Sequence, residues 1–252
     1  MNKVAQVTFA FWIMKICATT LGETAGDLLS MTLNIGYALS SLLLLSLFLI
    51  SVVAQLRAKE FHPTLYWLVI LTTSTAGTSM SDFLDRSVGL GYAAGSLLLV
   101  TCLALTLLAW RLAVGTISVS RIDTRRAEVF YWVAILFSNT LGTALGDYLA
   151  DDSGLGFLGG ALLIGGLIAL VALAARYTRI SPIGLFWAAF VLTRPFGATF
   201  GDLLTKTPDK GGLGFGTIGS SAVLLVLLVA VLARTYRQPV DDAAVVEVAS
   251  AD

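Results

Sequence analysis

Thr20-Leu21-Gly22-Glu23-Thr24-Ala25-Gly26-Asp27 decides the reading of this chain, because its pattern returns three more times. Four segments align without gaps when anchored on Asp27, Asp82, Asp147 and Asp202. Fifteen residues before each aspartate stands a tryptophan (Trp12, Trp67, Trp132, Trp187), and an aromatic precedes each one (Phe11, Tyr66, Tyr131, Phe186). Five before each aspartate is a glycine: Gly22, Gly77, Gly142, Gly197. One before it is a small residue: Gly26, Ser81, Gly146, Gly201. Ten after the first three comes an aromatic (Tyr37, Tyr92, Phe157), which the fourth copy delays to Phe215 through an insertion around Pro208 to Gly211. The aspartates are spaced by 55, 65 and 55 residues, so a hairpin doubled and the doubled unit doubled again.

Each copy is a motif helix followed by a plain apolar helix. The motif helices are expected near 8–30, 63–84, 127–149 and 182–204, and the plain ones near 35–56, 90–113, 155–175 and 213–234. The chain has 252 residues, 57% hydrophobic and 13% charged, against roughly 25% charged in soluble domains. Its mean hydropathy is +0.86. Apolar runs long enough for about 20 residues per crossing predict an all-α membrane protein of about eight transmembrane helices. These form a single bundle over residues 1–237, with repeats at 8–56, 63–113, 127–175 and 182–234 and an acidic, disordered tail at 238–252. The first apolar run carries Lys15, Glu23 and Asp27 and the first repeat, so it is read as helix 1 rather than a signal peptide.

Two crossings per unit make the repeats parallel, with their axis along the membrane normal. Lys3, Arg57, Lys59, Arg111, Arg121, Arg125, Arg126, Arg176, Arg179, Arg234 and Arg237 fall on one side, against Arg86, Lys206 and Lys210 on the other. The positive-inside rule then puts both termini in the cytoplasm. The tryptophans are expected as a belt at the cytoplasmic interface. The aspartates lie about 22 Å farther along at 1.5 Å per residue.

Small pairs four apart (Gly22/Gly26, Gly77/Ser81, Gly142/Gly146, Gly197/Gly201) let helix backbones approach closely. Four such pairs in register place the motif helices at the centre and the leucine-rich helices outside. A polar stripe runs beside them: Lys15, Thr19, Glu23 and Asp27 in copy one, then Ser74, Thr78 and Asp82, then Asn139, Thr143 and Asp147, then Arg194 and Asp202. Ionisable groups inside a membrane are costly and are functional candidates. Four aspartates near one axis repel unless something positive answers them.

Asp27, Asp82, Asp147, Asp202 and Glu23 are therefore the candidate metal ligands. Thr19, Ser74, Asn139, Thr78 and Thr143 are a polar lining, and Lys15 and Arg194 are gating groups or counter-charges. Oxygen donors of this kind suit Mn²⁺, Mg²⁺ or Ca²⁺. His62 in a loop and the isolated Cys17 and Cys102 form no ligand set.

The stretch Lys15 to Leu33 resembles a bacterial family of uncharacterised repeat-containing integral membrane proteins, over essentially the whole chain. That resemblance implies a topology and no activity. Glu23, Gly26 and Asp27 are more distantly similar to the Glu-x-Gly-Asp motif of proton-coupled calcium/manganese exporters. Here one extra residue separates Glu23 from Gly26, Leu28 follows Asp27, and only one copy has the glutamate.

The expectation is a secondary transporter that exports a divalent cation, manganese first, in exchange for protons. Its partners would be the bilayer, the metal ion and protons, with no cofactor and no nucleic acid. A cation channel with an aspartate ring, a small-solute carrier using Lys15 and Arg194, and a non-transporting scaffold are the alternatives. No nucleophile–base set, phosphate-binding glycine loop or zincin motif points to an enzyme.

Overall fold

Pro63 and Pro182 open two helices at positions where a missing N–H costs nothing. Thr8 and Thr124 open two more by accepting from Phe11 N and Ala127 N. The computed structural model describes residues 3–119 and 122–236. Arg121, Arg237 and the proposed tail at 238–252 lie outside the described residues.

Among the described residues there are eight long helices and no strand. They are α1 (Phe9–Asp27), α2 (Tyr37–Arg57), α3 (Pro63–Asp82), α4 (Tyr92–Val114), α5 (Arg125–Asp147), α6 (Gly156–Tyr177), α7 (Pro182–Thr205) and α8 (Thr217–Tyr236). The motif helices α1, α3, α5 and α7 form a central ring, each touching the next, with α7 returning to α1. The glycines make this contact possible. A Cβ on Gly22 would collide with Ser74, one on Gly77 would lie 2.9 Å from the Asn139 backbone, and one on Gly142 would collide with the Arg194 side chain. One on Gly197 would lie 2.7 Å from Thr19 Oγ1. The glycine column of each copy thus meets the column eight before the aspartate in the next. Gly26 likewise lies over Thr78, one turn beyond Gly22 over Ser74, so the neighbouring inner helices run parallel.

The plain helices surround this ring, but not as hairpins with their own motif helices. Each packs mainly against the inner helix of the following repeat: α2 on α3, α4 on α5, α6 on α7, and α8 back onto α1. The repeat boundary in sequence is therefore not the packing boundary, and the last helix closes a ring on the first.

Past each of the first three aspartates the helix loosens into a π-turn, at Leu28–Thr32, Phe83–Ser87 and Tyr148–Asp152. Leu33 N, Val88 N and Ser153 N each reach back five residues at 2.8–2.9 Å. Two positive-φ residues then turn the chain in every copy: Asn34/Gly36, Gly89/Gly91, Gly154/Gly156 and Gly214/Gly216. This backbone signature corrects the alignment of copy four. Thr217, directly after Gly216, occupies the place of Tyr37, Tyr92 and Phe157, whereas Phe215 lies between the two glycines as Ile35, Leu90 and Leu155 do. The insertion lets α7 continue as α-helix to Thr205 and adds a 3-10 turn at Pro208–Lys210.

Among the described residues six helices are long and apolar enough to cross a membrane: α2, α4, α5, α6, α7 and α8. The expected eight fall short by α1, which carries Lys15, Glu23 and Asp27, and α3, with its serines and threonines from Thr72 to Ser81. Those side chains are buried in the ring. The outer helices instead present exposed leucine and valine, as at Leu42, Leu97, Leu162 and Val226. The tryptophans also differ from the expected belt: Trp67, Trp132 and Trp187 are buried. They belong to an aromatic plug with Phe11 and with Tyr66 and Tyr131, whose hydroxyls share a 2.6 Å hydrogen bond.

Candidate functional site

The ring brings the polar stripe to its interior, where it divides into three levels. Nearest the aromatic plug is Lys15, with no solvent exposure. Its ammonium donates to Asn139 Oδ1 at 3.4 Å and lies 4.0 Å from the centre of the Phe190 ring. Among the described residues no carboxylate pairs with it.

One level on, Arg194 crosses the bundle from α7 and touches the other three inner helices. One nitrogen is 2.9 Å from Glu23 Oε2 on α1. The other donates to the Ser74 carbonyl at 3.2 Å, to the Thr78 hydroxyl on α3, and to the Thr143 hydroxyl on α5 at 2.8 Å. Thr78 and Thr143 in turn donate to the same Glu23 oxygen at 3.3 and 3.2 Å. An arginine suits this place because its rigid fork can serve several acceptors at once. Glu23, Thr78 and Thr143 all stand four before their aspartates, and the long Arg194 side chain, rooted eight before its own, spans the turn between the two columns.

The third level holds the four aspartates, all buried. They meet in bridged pairs. Lys206 contacts Asp27 at 2.6 Å and Asp202 at 3.1 Å, while Arg86 contacts Asp82 at 2.9 Å and Asp147 at 3.3 Å. The bridging side chains are 20% and 32% exposed, against 3–6% for the carboxylates. This level therefore opens toward the exterior past two cations, with the rings of Tyr37 and Tyr92 beside Arg86. The other end of the axis is closed by the aromatic plug.

Arg86 and Lys206 were not among the sequence-derived site residues, yet a signal was available. Each stands four residues after its aspartate, the spacing at which helical side chains meet. The corresponding residues in copies one and three are Met31 and Asp151. A cation in every second copy is the signature of the 120-residue duplication. With these two included, the axis carries five carboxylates and four cations, so most of the expected negative excess is answered by the chain itself.

Three of the five expected metal ligands converge. One carboxylate oxygen from each of Glu23, Asp147 and Asp202 lies within 4.8 Å of the others, on three different inner helices. Asp27 and Asp82 flank this group, held by Lys206 and Arg86. Of the expected lining, Thr78 and Thr143 face Glu23, and Asn139 faces Lys15. Thr19 uses its hydroxyl on backbone carbonyls, including Thr193 O at 3.1 Å. Ser74 contributes its carbonyl to Arg194, and its hydroxyl packs beneath Gly22. Gly26, Gly146 and Gly201 serve the expected helix packing, over Thr78, Ala198 and Glu23. Such an arrangement can hold a hard cation with oxygen ligands, move protons between carboxylates, or lock four helices together.

The chain belongs to the family described as Repeat of Unknown Function (DUF347), whose model matches residues 10–61, 65–116, 130–181 and 185–240. The four matches follow the four copies read from the sequence, and nothing in the comparisons links the chain to calcium/manganese exporters. Neither the curated proteins nor the solved structures yield a match.

Proposed function

We propose that this member of the repeat family spans a membrane with all eight helices and carries a divalent metal cation across it, manganese first, in exchange for protons. The membrane reading rests on six apolar helices, four of which surround the inner ring and expose leucine and valine, while the polar side chains of α1 and α3 are turned inside that ring. The excess of arginine and lysine at the plugged end directs that end, with both termini, to the cytoplasm of a bacterial inner membrane.

The observation that carries the transport reading is the convergence of Glu23, Asp147 and Asp202 within 4.8 Å, buried and drawn from three helices. Three carboxylates at that separation favour a bound divalent cation, and protons can take its place when it leaves. Arg86 and Lys206 act as tethered substitutes, occupying the aspartates while the site is empty and swinging toward solvent as the metal enters. Arg194 lies across the axis beneath the site and the aromatic plug closes the far end, an arrangement suited to a carrier rather than an open pore. In proteoliposomes, Mn²⁺ uptake should be accompanied by counter-movement of protons and should fall at least tenfold in D147N and D202N, about 1.4 kcal/mol. Wild-type vesicles that take up neither Mn²⁺, Ca²⁺ nor Mg²⁺ would remove the proposal.

A second reading is a scaffold without transport, favoured by the fact that each of the four motif aspartates already has a cation partner. Under it, replacing all four aspartates with asparagine leaves the host's metal content and tolerance unchanged.

A further inference from the structure

Four lateral gaps surround the plugged end of the ring, one beside each outer helix where it meets two inner ones. The chain fills three of them. Beside α4, Trp110 packs on Tyr131 and Trp187, and Trp187 donates to the carbonyl of Ile117 at 3.0 Å. Beside α2, Gln55 holds Lys3 O at 3.1 Å, and the buried Val4 and Ala5 follow. Beside α8, Phe61 packs between Tyr66 and Tyr236.

The fourth gap, between α6, α7 and α1, is open. Twenty-eight residues after Asp82 stands Trp110, and at the same distance after Asp147 stands Ala175, which fills nothing. The result is a cavity of about 640 Å³, walled by Trp12 and Ile16 of α1, Ile168 and Ala175 of α6, and Leu185 and Phe186 of α7. The aromatic columns respond accordingly. Trp67, Trp132 and Trp187 are 2–5% exposed, whereas Trp12 is only half-buried, and Phe186 is the least buried of the aromatics preceding them. Phe9, at the rim, is 81% exposed. The lining is almost wholly apolar, and its charged member is Arg179, in the short connection between α6 and α7.

We propose that this groove binds one anionic phospholipid, with an acyl chain in the space that Trp110 fills in the neighbouring repeat and the phosphate against Arg179. The occupant is set by two features together: an apolar slot open to the side, and a positive group at the end that the charge distribution assigns to the cytoplasmic surface. A cavity of this size is typical of a site for one small ligand. The proposal rests on the membrane reading, though not on the identity of any transported ion.

Purified protein would be exchanged into a mild detergent with equimolar phosphatidylglycerol and phosphatidylcholine, and the retained lipid read by native mass spectrometry. Wild type should retain one phosphatidylglycerol at least tenfold in preference to phosphatidylcholine. Ala175→Trp, which rebuilds the Trp110 arrangement, should lose that lipid. Arg179→Gln should lose the preference while keeping the slot. Equal retention of both lipids by wild type, or unchanged preference in Arg179→Gln, would overturn the proposal. The second arm stands even if Ala175→Trp does not yield folded protein. Recovery of the protein in the soluble fraction without detergent would instead overturn the membrane reading itself, and this proposal with it.

Discussion

At the level of Glu23 the bundle holds one carboxylate and one guanidinium, both withdrawn from solvent, whereas at the level of the aspartates it holds four carboxylates and two cations that reach the exterior. The same four helices build both levels. In the inner one the fourfold pattern is fully broken, since Glu23 and Arg194 each occur once, and the pair is locked by hydroxyls from the two remaining helices. In the outer one the pattern is broken by half, with a cation in every second copy. Repetition built the scaffold, and departures from repetition built the chemistry. A pair sealed from solvent and tied to all four inner helices fixes structure, and Glu23 also brings a carboxylate oxygen within 4.8 Å of Asp147 and Asp202. Cations that share carboxylates at a solvent-facing mouth can be displaced.

The largest effect is expected at the inner level. Arg194→Met should destabilise the fold by about 3–5 kcal/mol, because Glu23 is left buried without its counter-charge. Thermal unfolding in detergent measures this, and adding Glu23→Gln should recover most of the loss. A double variant as unstable as the single one would mean that the pair is not the lock described here. Next in size is Gly142→Val, which drives a side chain into Arg194 and should cost about 1–3 kcal/mol. Gly166→Ala on the outer α6, with open space around it, should be neutral or slightly stabilising.

Removing a mouth cation should act differently. Arg86→Gln should cost less stability than the loss of Arg194, since the guanidinium is partly solvated. It should also strengthen Mn²⁺ binding by roughly tenfold, the effect of removing about 1.4 kcal/mol of competition. Calorimetric titration distinguishes this from weakened binding, the outcome if Arg86 merely organises the site. The turns should respond in stability alone. Gly91→Ala places a Cβ on a residue at φ 72° and ψ 157°, a region open essentially to glycine alone, and should lower stability by about 1–3 kcal/mol without altering ion binding.

Much of this was legible in the chain. Aspartate, glycine and tryptophan columns recur because each copy meets its neighbour through the same surface, so the central ring and the helix limits follow from alignment. Arg86 and Lys206 were equally visible at four residues past Asp82 and Asp202, but they entered only the charge balance between the two sides of the membrane. The Glu23–Arg194 pair was harder to see, since the two residues stand in different columns and meet only because the arginine side chain spans the turn between them. The tryptophans misled for a related reason: an aromatic near a helix end suits a lipid interface or an interior plug, and the loops and outer helices beside it decide which. In copy four, the positive-φ pair rather than the aromatic marked the turn, because backbone geometry there is more constrained than the side chain that follows.

Equilibrium binding of Mn²⁺ to the purified protein, followed by electron paramagnetic resonance of the free ion, tests most directly whether the converging carboxylates form one cation site. The account predicts one ion per chain, lost in D202N while the melting temperature stays close to wild type. Absence of binding by folded wild type, or binding that survives in D202N, would contradict it.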